Sequence, residues 1–115
     1  MQQNDFKEIR MTTGKKIKQS FGNKISSLEF FDVVEVAGHW SFKIKFIAYN
    51  YFVIVFNYEL DIIGFSIEVG AGKLINVLNE HICYSDTDMD SYIQRVISEI
   101  ELRIPDKYLK AHGWL

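Results

Sequence analysis

Residues 41–69, SFKIKFIAYNYFVIVFNYELDIIGFSIEV, decide the fold of this chain. The stretch is almost entirely β-branched or aromatic and holds 8 of the chain's 17 aromatic residues. Such side chains suit a pleated, half-buried surface. Over 41–49, Phe42, Ile44, Phe46 and Ala48 face one way and Ser41, Lys43, Lys45 and Tyr49 the other, which predicts a half-exposed strand. Asn50 marks a tight turn. Over 51–58 both faces are apolar, Phe52, Ile54 and Phe56 on one and Tyr51, Val53 and Val55 on the other, so this strand belongs at the sheet centre. Glu59–Asp61 is the next turn. Ile63, Phe65, Ile67 and Val69 then face the core, with Gly64, Ser66 and Glu68 outward. Three consecutive antiparallel strands follow from this pattern.

Upstream, Phe6, Ile9, Ile17 and Phe21 stand near helical spacing and predict an amphipathic helix over 4–21. Asn4 or Asp5 can cap it, and Gly22-Asn23 can end it. Thr12, Thr13 and Gly14 weaken its middle, so two short pieces are also compatible. Residues 27–37 fit two templates. Leu28, Phe30, Val34 and Val36 alternate like a strand face, while Ser26 and Glu29 can form a helix capping box. The Val-Val-Glu-Val run favours the strand, and Gly38-His39 make the turn after it.

Downstream, Gly70-Ala71-Gly72 breaks the sheet. Residues 73–82 read as a short helix with Leu74, Val77, Leu78 and Ile82 inward, or as a fourth hairpin strand. A long helix over 86–104 is the clearest of all: Ser85 or Asp86 caps it, Asp88 and Asp90 complement its dipole, and Tyr92, Ile93, Val96, Ile97, Ile100 and Ile104 form its buried stripe. Pro105 stops it. Asp106 can cap a short last helix that Gly113 ends.

The chain has 115 residues, enough for one domain, 1–115, with one core. No apolar run reaches the ~18–20 residues of a membrane helix. The first ten residues are polar, and Cys83 has no second cysteine to pair with, which together predict a cytoplasmic protein. The net charge of −2 is unevenly spread. Residues 1–24 carry six basic side chains against two acids; the remainder carries seven against thirteen. A basic helix on an acidic body follows, and an acidic face attracts a basic partner.

The chemistry-bearing residues do not form a catalytic pattern. Asp86, Asp88 and Asp90 resemble the start of a calcium loop, but Ser91 and Ile97 stand where that loop needs Gly and Glu. His39, His81 and His112 have neither the i, i+4 spacing nor the cysteines of a metal site. Gly70–Lys73 is too short for a phosphate loop. No cofactor or metal is expected. Lys43, Lys45 and Tyr49, with the basic N-terminus, allow a nucleic-acid surface, although lysines also protect an edge strand from pairing.

Residues 97–115, ISEIELRIPDKYLKAHGWL, run from a long helix through Ile-Pro-Asp-Lys-Tyr-Leu to Gly-Trp. This tail resembles that of small bacterial immunity proteins accompanying polymorphic toxins, including those of contact-dependent growth inhibition. The resemblance covers about the last third of the chain. It implies a cytoplasmic, non-enzymatic protein that binds one toxin domain and blocks its active site.

The expected fold is α+β: an antiparallel sheet of three to five strands packed against an N-terminal helix and a long C-terminal helix. The expected partner is a cognate toxin domain, a basic nuclease, because nucleases carry cationic surfaces for their substrates. Exposed acids near turns and the helix start are the candidate contacts: Glu59, Asp61, Glu68, Asp86, Asp88 and Asp90, with Tyr84 and Trp114 as aromatic anchors. The competing expectations are an enzyme or ligand-binding domain with a pocket between sheet and helices lined by Tyr51, Tyr58 and His81, and an RNA-binding module using the basic N-terminus.

Overall fold

The computed structural model describes residues 3–115, with side chains from Asp5 onward. The order of elements is helix α1 (Gln3–Phe21), strands β1 (Ile25–Val36), β2 (His39–Ala48), β3 (Phe52–Glu59), β4 (Ile62–Val69), β5 (Lys73–Asn76) and β6 (Ile82–Cys83), then helices α2 (Met89–Leu102) and α3 (Asp106–Ala111). The sheet is an antiparallel meander in the order β1-β2-β3-β4-β5, with the two-residue β6 also pairing with the start of β4. The fold is α+β, and the sheet holds six strands rather than three to five.

The period-two reading of 41–69 fits the burial. Phe42, Ile44, Phe46, Ala48, Ile54 and Phe56 are fully buried, and Ile63, Phe65 and Ile67 nearly so. They meet Phe6, Ile17 and Phe21 of α1 and Tyr92, Ile93, Val96 and Ile100 of α2 in one core. Both helices lie on this inner face. Tyr49 departs from the reading: it is buried, at the start of the β2–β3 turn, instead of facing solvent.

The N-terminal helix is one piece. Thr13 faces the core, and the Phe30 ring of β1 lies against Gly14: a Cβ there would sit 2.9 Å from it. The glycine that weakens helix propensity leaves room for the Phe30 ring of β1. The helix begins at Gln3, so Asn4 lies within it and Asp5 in its first turn, and neither is its cap.

Residues 27–37 are strand, but not with one alternating face. Between Ser26 and Glu29, and again between Phe31 and Val34, β1 spends one residue more than β2. Ser27 and Asp32 take positive φ of 58° and 50° at these bulges. Phe30 therefore pairs with Ile44 toward the core, whereas Val34 pairs with Ser41 on the open face.

Residues 73–82 are not a helix. Gly70–Gly72 reverses the chain, and Lys73–Asn76 pairs back along β4, which leaves Leu74 and Ile75 about half exposed. Only Val77 is buried, its N–H donating to the Phe65 carbonyl at 2.9 Å. The long helix starts later than 86. Tyr84–Asp86 forms a 3-10 turn, and Asp88 is the cap of α2, accepting from the Asp90 N–H at 3.2 Å and the Ser91 hydroxyl at 2.8 Å. These hydrogen bonds hold the Asp88 carboxyl below its ordinary range. Asp106 is the first residue of α3, and Pro105 occupies the cap position. No helix among the described residues is long and apolar enough to cross a membrane.

Candidate functional site

The antiparallel meander puts the β1–β2 turn (Ala37-Gly38) and the β3–β4 turn (Leu60-Asp61) at the same end of the sheet. A cleft of about 450 Å³ opens between them, lined by Ala37, Gly38, His39, Trp40, Tyr58, Leu60 and Asp61. Trp40 and Tyr58 reach it from the inner face. Phe6 of α1 stacks on the Trp40 indole at 5.0 Å between ring centroids, and Tyr58 stacks on Phe42 at 5.2 Å. Burial raises the Tyr58 hydroxyl pKa, and the charge of Asp61 adds to it.

The β3–β4 turn has two residues, both with positive φ: Leu60 at 50° and Asp61 at 71°. This is the hand of turn that matches sheet twist and that Asn-Gly normally fills. Aspartate tolerates the conformation; leucine does so at a cost. Leu60 is also 53% exposed, so burial does not offset that cost. A strained, exposed, apolar residue at the lip of a cleft is the pattern expected where something other than folding uses the side chain.

Four of the acids and aromatics expected at the site gather here. Glu59 ends β3 and lies 3.5 Å from His39. Asp61 accepts from the Ser85 N–H at 3.0 Å and the Ser85 hydroxyl at 2.6 Å, which fastens the 3-10 turn to the hairpin. Tyr84 packs edge-on against Tyr58 at 6.0 Å, and its N–H donates to the Asp61 carbonyl at 2.7 Å. Asp86 is exposed in the same turn. Asp88 and Asp90 follow at the start of α2, but both have local work: Asp88 caps the helix and Asp90 pairs with Lys16 at 3.0 Å.

Two expected residues lie elsewhere. Glu68 is at the opposite end of β4 on the open face, 3.9 Å from Lys45. Trp114 is at that far end too, edge-on to Tyr49 at 5.3 Å and stacked on His112 at 5.4 Å. Sequence reasoning missed Trp40 and Leu60. A leucine inside the expected Glu59–Asp61 turn was the legible signal for the second.

The pocket expected from Tyr51, Tyr58 and His81 is not assembled. Tyr51 precedes β3 and Tyr58 nearly ends it, so a strand's length separates them, and His81 is exposed in the loop before β6. The expected stacking surface is also changed. Lys43 and Lys45 lie near Asp32 (3.4 Å) and Glu68 (3.9 Å), and Tyr49 is inside the core. Among the described residues, no three His, Cys, Asp or Glu side chains come close enough together to hold a metal ion.

No protein-family model matches the chain, and no curated protein or solved structure shows detectable similarity to it.

Proposed function

We propose that this chain is a non-enzymatic inhibitor that docks the cleft end of its sheet onto a basic surface of a partner protein, as an immunity protein does on a toxin domain. A nuclease is the toxin class that fits best, because its own substrate demands a cationic surface that an acidic inhibitor can occupy. The observation that carries the reading is Leu60: an exposed leucine held at positive φ, lining a cleft with Trp40, Tyr58 and Asp61, with Glu59 and Asp86 exposed at the same end of the sheet. An apolar, aromatic centre inside a polar rim is the anatomy of a protein interface.

The test uses the protein encoded next to this chain's gene as the candidate toxin. Co-expression should suppress its toxicity, and association should slow as salt rises, since the Debye length shrinks from about 10 Å at 0.1 M to about 3 Å at 1 M. Glu59→Lys combined with Asp86→Lys should lower the on-rate more than it raises the off-rate, because rim charges act on encounter. These two acids are better targets than Asp88 and Asp90, whose reversal would disturb a cap and an ion pair. A folded double variant with an unchanged on-rate at every salt concentration would remove this end from the interface.

A further inference from the structure

Helix α1 carries a basic stripe that borders a recess. Met11, Lys15 and Lys18 stand at i, i+4 and i+7, so they line up along one side of the helix. Gly14 lies beside them without a side chain, and the tip of the Phe30 ring of the border strand β1 reaches it. The result is a groove of about 520 Å³ between α1 and β1, lined by Met11, Thr12, Gly14, Lys15, Lys18 and Phe30. It lies between the two ends of the sheet, since α1 meets Trp40 through Phe6 at one end and Phe46 through Phe21 toward the other.

The groove's own residues leave two needs unmet. Its apolar surface is open: Met11 is 61% exposed and Phe30 37%. Its charge is of one sign. Lys15 and Lys18 are exposed and neither meets an acid among the described residues, whereas Lys16 between them pairs with Asp90. The acids nearest in sequence or across the ladder are turned elsewhere. Glu29 stands opposite Lys45 on the open face, Glu35 is bound to Arg10, and Glu8 lines a separate hollow with Tyr84.

Apolar surface beside two ammonium groups calls for an apolar side chain beside carboxylates. A lysine ammonium is a point charge with three rotatable donors, so it accepts a carboxylate on a mobile chain without bidentate geometry. A single-stranded nucleic acid stacks successive bases on aromatic side chains, and this groove has one aromatic ring, its tip held against Gly14. A membrane surface would meet the ammonium groups without entering the recess.

We infer that the α1–β1 groove is a second docking surface, which takes an acidic segment of a partner protein: one bulky apolar side chain seats on Met11 and Phe30, and neighbouring carboxylates meet Lys15 and Lys18. The inference goes beyond the inhibitor reading, in which the cleft end offers acids to a basic surface, and it stands on different residues.

The chain contains three methionines, so methyl-labelled methionine gives few signals in a heteronuclear NMR spectrum, and Met11→Leu assigns the one in the groove. The full chain is titrated with the capped peptide Glu-Asp-Glu-Leu-Glu-Asp-Glu. The Met11 signal should shift saturably, while that of the buried Met89 stays in place. Replacing the peptide's leucine by serine should weaken binding about four- to tenfold, half of a leucine's burial. Lys15→Gln with Lys18→Gln should weaken it about two- to thirtyfold, the range of two exposed ion pairs, and glutamine keeps the helix. Lys107→Gln with Lys110→Gln removes the same charge from α3 and should leave binding unchanged. A Met11 signal indifferent to the peptide overturns the inference. So does an unaltered affinity of the serine peptide or of the Lys15/Lys18 variant. An equal loss in the α3 variant would reduce the effect to net charge and overturn it as well. Oligouridylate, or vesicles of equal parts phosphatidylcholine and phosphatidylserine, moving Met11 at lower concentration than the peptide would make the groove a nucleic-acid or a membrane site and end the proposal.

Discussion

The two ends of the sheet are turned by backbone of the same hand and finished in opposite ways. At the far end, Tyr49 and Asn50 take φ of 59° and 50°; at the cleft end, Leu60 and Asp61 take 50° and 71°. The Tyr49 turn is closed over. Its ring is buried, its hydroxyl donates to Glu101 of α2, its N–H donates to the Lys24 carbonyl at 2.7 Å, and its carbonyl accepts from the Tyr108 hydroxyl at 2.8 Å. Lys24 stands 3.5 Å from Glu101, and Trp114 covers the ring edge-on. The Leu60 turn is held by the Leu60 N–H, which donates to the Trp40 carbonyl at 3.1 Å, and by its aspartate, while the Leu60 side chain stays exposed. One strained residue is repaid by packing and the other is not. A fold that tolerates an unrepaid turn at one end is expected to use it for something else.

Breaking the closed end should produce the largest effect. Tyr49→Ala removes a fully buried aromatic ring, and chemical denaturation should show a loss of about 3–5 kcal/mol. A loss below about 1 kcal/mol, the level of an ordinary surface change, would mean that the far end is not closed as described. Tyr49→Phe isolates the hydroxyl. Leaving a charged acceptor without its donor should cost about 1.5–3 kcal/mol near neutral pH.

The same hydroxyl predicts an alkaline limit. Burial first, and then the hydrogen bond and charge of Glu101, raise the Tyr49 pKa well above its ordinary value. Burial pushes Tyr92 up to about 12 and raises Tyr58 too. The unfolded chain releases these protons near pH 10, while the folded chain keeps them. The unfolded state thus binds fewer protons above pH 10, and stability falls as pH rises from there. Below pH 10 the contribution is fully present. Tyr49→Phe should make the decline between pH 10 and 12 shallower, as read by denaturation midpoints across that range. An unchanged slope would assign the decline to Tyr92 and Tyr58.

Relieving the open end should produce the smallest change and the opposite sign. Leu60→Asn places a residue that tolerates positive φ and should stabilise the fold by about 0.5–1 kcal/mol, while weakening partner association. A variant that loses stability would show that Leu60 is structural, and the contrast between the two ends would collapse.

The sheet was legible because its signal is local. Period-two alternation over Phe42–Ala48 and Ile63–Ile67 needs no knowledge of anything distant. Two features defeated the same reading. One extra residue at Asp32 flips Val34 relative to Phe30, and alternation read from sequence carries no mark of a bulge. Lys73–Asn76 has too few residues to separate strand from helix by period, and the pairing with β4 decided it. The site was half legible. Glu59, Asp61, Tyr84 and Asp86 could be named as exposed acids and an aromatic, but that two hairpin turns gather them at one end of the sheet, with Asp61 and Trp40 in the same cleft, is a fact of topology. Glu68 and Trp114 share their chemistry and lie at the other end, because residue type says nothing about which end of a strand faces which loop.

The doubled bulge in β1 has a consequence for how the protein behaves in concentrated solution. This twelve-residue strand forms one border of the sheet, and it shows Phe30, Val33, Val34 and Val36 to solvent. A straight border of that composition would offer its free peptide groups to every neighbouring molecule and seed fibrils. With an extra residue near Ser27 and another near Asp32, no long run of peptide groups stays in line. An incoming strand from another molecule finds a broken template, which weakens edge-to-edge pairing along this apolar border.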